Sequence, residues 1–442
     1  MLFSKKDLTK LLIPLIIEQL LAVAVGMVDV AMVSVVGENA VSGVSLVDSI
    51  TILIIQLLSA LATGGAVVSS QYLGQKNTRK ACQSAGQLIL VTTVASAALA
   101  LISLLFNYQI LSLVFGNVEA EVMTDAMIYF RITAVSYPFL AVYNSCAALY
   151  RSMGNSKVSM FVSLIMNGIN IAGNSICIFA LHMGVEGVAY PTLISRVAAA
   201  VIMMFLIQSP KNVIRINSLK DFAPHRKMIG SILGVGIPNG LENSIFQIGK
   251  LTLQSLVSSL GTTAIAGYAV ACNLATLEYL PGNAIGLGLI TVVGRCVGAG
   301  EYQQAKQYTK KLILLNYAFL AVICTAMFFG SNLFVGIYSL SPEAAAGACE
   351  MIMAHSVAMI IWPIAFTLAN TLRASFDAKF TMCISVGSMW IFRVFLAYIF
   401  VTKLNMGIMG VWYGMFLDWI FRAAAFLLRF RTYGKRRLPD LN

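Results

Sequence analysis

Charge is what this 442-residue chain has least of. Asp, Glu, Lys and Arg make up 11% of it, while 59% is hydrophobic. Ordinary soluble proteins carry about 25% charged residues. One soluble core cannot absorb that much apolar surface, so lipid must be the solvent for most of it. Acids are scarcer than bases, 18 against 30. The eight cysteines contain no C-x-x-C pair. Most fall in apolar runs and read as small packing residues, neither disulfides nor metal ligands. His182, His225 and His355 are isolated, without metal-ligand spacing. Walker A, H-E-x-x-H and G-x-S-x-G patterns are absent, which removes the sequence support for ATP hydrolysis and common hydrolase chemistry. No clustered catalytic residues suggest an enzyme.

What is present is a series of apolar runs, each near the roughly 20 residues that cross hydrocarbon as a helix. They lie near 9–35, 44–71, 86–106, 126–149, 158–181, 187–208, 228–260, 264–294, 312–335, 351–372, 381–402 and 407–428. The first follows Lys5, Lys6 and Lys10 and is too long for a cleaved signal segment. Lys and Arg concentrate in the N-terminus, in the loops after even-numbered spans and in the tail, which holds Arg429, Arg431, Lys435, Arg436 and Arg437. The opposite loops hold only Arg131 and Lys403. This asymmetry places both termini in the cytoplasm. The net charge of +12 is that topological signal. Its dispersal through loops gives no reason to expect nucleic acid.

Residues 13–81 align without a gap on residues 237–305. Ile13-Pro14 and Glu18 match Ile237-Pro238 and Glu242, and Gly37, Gly43, Gly64 and Gly74 match Gly261, Gly267, Gly288 and Gly298. Coincident glycines mark backbone positions of special geometry. Farther on, Tyr137-Pro138 recurs as Trp362-Pro363, and Gly184, Gly187 and Tyr190 recur as Gly407, Gly410 and Tyr413. The chain is therefore two copies of a six-span unit. An even span number gives both copies the same orientation, a transporter arrangement that suits alternating access. The fold class is all-α integral membrane, twelve helices in two parallel repeats. The lobes are residues 1–216 and 217–442, joined by a basic loop containing Pro210 and Pro224.

Glu18, Asp29, Asp48, Glu242, Glu278 and Asp418 fall inside spans. A charge at the bilayer centre costs at least about 2.5–3.5 kcal/mol, so each needs a proton, a cation or a partner. Glu18 and Asp29 stand about three turns apart and share a helix face, and Pro14 can loosen that helix. Asp29 reads either as a coupling acid or as a satisfied interhelical carboxyl. Glu242 repeats Glu18, in function or in a structural contact. Glu278 precedes Pro281-Gly282, where a helix break is expected. It reads as a cation or proton site or as the partner of Lys250. Asp418 and Arg422, four apart, suit an internal ion pair. Arg196 and Arg393 line a cavity or pair across helices.

Over nearly its whole length the chain resembles the MATE family of multidrug and toxic-compound efflux proteins. The resemblance rests on Pro14 with the segment MVDVAM, on NGINIAGNSICIFALHMGVEGVAYPTLIS, and on Arg373-Ala-Ser-Phe-Asp377, which repeats Arg151-Ser-Met-Gly-Asn155. It implies a DinF-like coupling site at Asp29, Asn170, Asn174 and Thr192, with Asn174 where that branch has Asp. It also implies a NorM-like C-lobe site using Asp377 with Glu242 or Glu278, although Phe246 stands where that branch has its helix-seven acid. The candidate hinges, read from the residues themselves, are Pro14 and Pro281. The expected activity is antiport, exporting amphipathic, mostly cationic compounds against Na⁺ or H⁺, with no cofactor beyond that ion. The expected setting is a monomer surrounded by lipid in a bacterial inner membrane. The alternative is a flippase for a lipid-linked saccharide.

Overall fold

The computed structural model describes residues 2–116, 119–216 and 219–433. Lys435, Arg436 and Arg437 lie outside the described residues. The order is α1 (Lys5–Val33), α2 (Glu38–Gly74), α3 (Thr78–Leu105), α4 (Asn107–Phe115), α5 (Ala120–Val135), α6 (Tyr137–Ser152), α7 (Ser156–Ser175) and α8 (Glu186–Ile207). There follow α9 (Arg226–Ser258), α10 (Thr262–Gly298), α11 (Tyr302–Phe329), α12 (Ser331–Gly336), α13 (Pro342–Ala358), α14 (Leu368–Ala374), α15 (Ala378–Ser388), α16 (Ala397–Thr402) and α17 (Gly407–Arg431). Three π-helical stretches, Ile176–Ala180, Pro363–Thr367 and Met389–Leu396, widen the helices that carry them. No strand occurs among the described residues.

Among the described residues, nine helices are long and apolar enough to cross a membrane. Two more spans are bent pairs: α5–α6 at 46° and α13 with its continuation Pro363–Ala374 at 64°. The bends fall at Tyr137-Pro138 and Trp362-Pro363, the repeated dipeptides, where proline removes a helical donor. The remaining expected span, the seventh along the chain, is α9, whose apolar run is interrupted by Asn239, Glu242, Asn243, Gln247 and Lys250. Pro14 and Pro281 behave otherwise. Helices α1 and α10 run through them unbroken, which corrects the expected break at Pro281-Gly282. Here α10 is clamped from outside: Gly282 packs directly on the Trp362 ring and Asn316.

The contacts divide the chain into two units. One is Phe3–Gly240; the other is Leu241–Asn442 with Met1–Leu2. The expected boundary is 216/217, whereas these contacts carry the linker and the start of α9 into the first unit. Buried Gln87 explains part of this. Its amide donates to the Asp221 and Ala223 carbonyls at 2.9 and 2.8 Å, and its oxygen accepts from the His225 N–H at 2.9 Å.

Each unit shows the same close approach at its repeated glycines. Gly37 and Gly261 take φ of 140° and 98° directly before α2 and α10, a region that L side chains avoid. Six residues later, Gly43 rests against the backbone of Val122 and Ala126 on α5, and Gly267 against the Ala344 carbonyl on α13. A Cβ at either place would stand about 2.9 Å from backbone atoms that cannot swing away. Gly43→Val and Gly267→Val are each expected to cost about 1–3 kcal/mol by overpacking, measured as a lower melting temperature of the detergent-purified protein.

Candidate coupling site in the N-terminal unit

Two faces of α1 and α7 build the site. Glu18 accepts a hydrogen bond from Ser159 at 3.0 Å, and farther along both helices Asp29 accepts one from Asn174 at 3.1 Å. Both acids of α1 thus address α7, as their shared helix face requires. The Asn174 amide also donates to the Asn170 Oδ1 at 3.3 Å, and the Asn170 amide donates to the Thr192 hydroxyl of α8 at 3.1 Å. Asn170 and Asn174 are one turn apart, which puts both side chains on the same stripe. Asp29, Asn170, Asn174 and Thr192 therefore form one hydrogen-bonded chain.

This chain borders a cavity of about 250 Å³ lined by Asp29, Asp48, Tyr129, Asn170, Thr192 and Arg196, among others. Asp48, from α2, accepts from the Tyr129 hydroxyl at 3.3 Å. Arg196 donates to the Ser136 hydroxyl at 2.7 Å and forms no ion pair within 4 Å among the described residues. Two carboxylates and one guanidinium thus face one space, and the guanidinium is anchored on a hydroxyl. The buried Asn174 Oδ1 has no hydrogen-bond partner among the described residues. An orphaned amide oxygen beside a carboxylate is a suitable ligand set for a hard cation. Asp48 and Arg196 are marked in the sequence only as charges inside spans, and Tyr129 is not marked at all.

The C-terminal candidates do not assemble in the same way. Glu242 accepts from Arg373 at 2.7 Å, and Arg373 also donates to Asn370 at 2.8 Å. This pair repeats Glu18 with Arg151, at 3.9 Å in the first unit. Asp377 is held by a two-pronged bond from Arg429 at 2.5 and 2.7 Å. Glu278 is fully buried and bonded by His355 and Ser356 of α13. Of the two readings of Glu278, the pair with Lys250 is therefore not formed; Lys250 lies over the Phe246 ring instead. No hydrogen bond or ion pair joins any two of Glu242, Glu278 and Asp377 among the described residues. His355, which sequence spacing leaves isolated, is wedged between Trp412 and Trp419. Asp418 and Arg422 form the expected pair at 2.7 Å.

Residues 14–176 and 238–399 both match the MatE family model. The chain belongs to the MATE family of transporters. The two matched segments begin at the repeated prolines. An uncharacterized transporter YisQ of Bacillus subtilis is 28% identical over 95% of this chain and 92% of its own length. A probable multidrug resistance protein NorM of Thermotoga maritima is 26% identical over 96% and 92%. The fold matches that of a protein described as a multidrug resistance MATE family transporter of the MOP superfamily, solved in an outward-facing conformation. That crystal structure gives a TM-score of 0.91 at 20% identity, covering 97% of this chain and 95% of the other. This MATE chain is a multi-pass membrane transporter.

Its ion pairs differ in weight. Asp418 is 0% and Arg422 2% exposed, whereas Asp377 and Arg429 are more than a fifth exposed. Removing one partner of a buried pair leaves an uncompensated charge and costs about 3–5 kcal/mol; an exposed pair contributes about 1 kcal/mol or less. Arg422→Met is expected to lower the melting temperature far more than Arg429→Gln, read in one thermal-unfolding series.

Proposed function

We propose that the protein is a secondary active multidrug efflux antiporter, exporting amphipathic and mostly cationic compounds in exchange for Na⁺ or H⁺. The observation that carries the reading is the charge count of the N-terminal cavity: Asp29 and Asp48 against Arg196 alone. One carboxylate exceeds the bases, and in hydrocarbon that excess is offset by a mobile cation. The candidate occupants are a proton, a sodium ion and the cationic end of a substrate. If they compete for Asp29, each leaves when another arrives, which is the exchange an antiporter needs. Relatives named for multidrug resistance and export, such as the NorM of Thermotoga maritima and the MepA of Staphylococcus haemolyticus, fit this reading. The basic loops support cytoplasmic termini, and the bacterial source of these relatives supports a bacterial plasma membrane as the setting.

In this mechanism Asp29 holds the proton or the ion. Asn174 and Asn170 present amide oxygens to a metal cation, and Thr192 fixes Asn170. Arg196, held by Ser136, keeps the second acid Asp48 from demanding an ion of its own. Glu242, Glu278 and Asp377 act in the C-lobe through Arg373, His355 and Arg429. Neither Pro14 nor Pro281 breaks its helix in this conformation, so a hinge at either would operate in another one.

Ethidium export from proteoliposomes under an imposed pH gradient, and separately under a Na⁺ gradient, tests the reading. The wild type is expected to export under at least one, which names the ion. Asp29→Asn is expected to lose gradient-driven export by at least about tenfold. Full export by that variant would remove Asp29 from the mechanism. No export by the folded wild type under either gradient would remove the antiport reading.

A further inference from the structure

The C-terminal unit answers the N-terminal cavity with the opposite charge. Under the gapless alignment of 13–81 on 237–305, Leu253 stands for Asp29 and Cys272 for Asp48. Lys250 stands for Gly26, a residue that lines the first cavity. In the second aligned stretch Met415 stands for Thr192 and Trp419 for Arg196. Both acids are gone and a cation has been added at the corresponding place.

The geometry there is a cluster on one ring. Lys250, Arg393 and Arg422 lie 5.3, 5.1 and 5.4 Å from the centroid of Phe246. The single acid among them, Asp418, is taken by Arg422 at 2.7 Å and by the Ser388 hydroxyl at 2.5 Å. Arg393 is 8% exposed, and its remaining partners are poor. Its terminal nitrogen meets the Met415 sulfur at 3.1 Å, Asp418 is 3.9 Å away, and its Nε has no partner among the described residues. A thioether is a weak acceptor. The residue also sits on the eight-residue π-helical stretch Met389–Leu396, a distortion frequent at functional sites. Lys250 forms no ion pair among the described residues, and its side chain is exposed. Three cations against one acid leave an uncompensated positive charge in a membrane-spanning unit, which calls for an anionic partner.

We propose that Lys250 and Arg393 form a binding site for an oxyanion carried on an aromatic or amphipathic body. A carboxylate, sulfonate or phosphate has the acceptor geometry that the Arg393 fork and the Lys250 ammonium lack within the protein. The body would lie against Phe246. The oxyanion belongs either to a dissolved compound or to a phospholipid headgroup. The site shares no residue with the Asp29 cavity, and it widens the accepted compounds to those bearing an anionic group.

The test is calorimetric titration of the full-length protein in phosphatidylcholine nanodiscs with 1-naphthoate, using 1-naphthylmethylammonium as the cationic control. Saturable naphthoate binding is expected. It should weaken by about tenfold or more in Lys250→Gln and in Arg393→Gln, the weight of one lost charged contact, while the cationic control keeps its affinity. Lys250 is exposed, so its variant keeps the test decisive if Arg393→Gln fails to fold. Replacing half the lipid by phosphatidylglycerol separates the sources: a fall in naphthoate affinity identifies a lipid headgroup as the occupant, and an unchanged affinity identifies a dissolved anion. The proposal is overturned if the folded wild type binds no naphthoate in phosphatidylcholine, or if Lys250→Gln binds it as tightly. The readout is binding alone, so it stands or falls separately from Asp29-driven export.

Discussion

Everything in this protein follows from the cost of unbalanced charge in hydrocarbon. Six carboxylates stand inside its spans, and most have a partner that neutralises or solvates them. Glu242 has Arg373, Asp418 has Arg422, and Glu278 has His355 and Ser356. Glu18 has Ser159 and, more distantly, Arg151. The carboxylates left facing open space are Asp29 and Asp48, in a cavity that one guanidinium, Arg196, also lines. On the proposed reading, the charge that the fold leaves unpaired there is neutralised by a cation or proton that comes and goes.

The duplication makes the distinction between scaffold and site visible. Features shared by the copies are architectural: glycines before α2 and α10 at positive φ, the glycine contacts on α5 and α13, the bends at Tyr137-Pro138 and Trp362-Pro363, and the pairs Glu18–Arg151 and Glu242–Arg373. Features that differ are the interior polar groups. Where the first copy has Gly26, Asp29 and Asp48, the second has Lys250, Leu253 and Cys272. A backbone framework duplicated with its packing intact has thus been furnished twice, with acid in one copy and base in the other.

Much of this is legible in the residues alone. Apolar run length marks the spans, because hydrocarbon thickness fixes it. The glycines and prolines mark the repeat, because they hold backbone geometry that other residues cannot supply. The contact between Asp29 and Asn174 is reachable only through family resemblance, since 145 residues separate them. Partner choice across helices is what sequence does not carry. Lys250 is a plausible mate for Glu278, yet His355 and Ser356 occupy that carboxylate because α13 packs on α10 there. Pro281 suits a break, yet α10 runs through it as one helix, with Gly282 packed on Trp362 and Asn316. Both differences arise at tertiary contacts, which leave no local pattern.

The central claim is that cation and substrate exclude one another at Asp29. Its most direct test is the affinity of the purified protein for ethidium, titrated by fluorescence across Na⁺ concentration and, separately, across pH. Mutual exclusion predicts that ethidium binding weakens as Na⁺ or proton concentration rises, and that this dependence disappears in Asp29→Asn. An affinity that stays constant across both titrations, with the protein folded throughout, would contradict it.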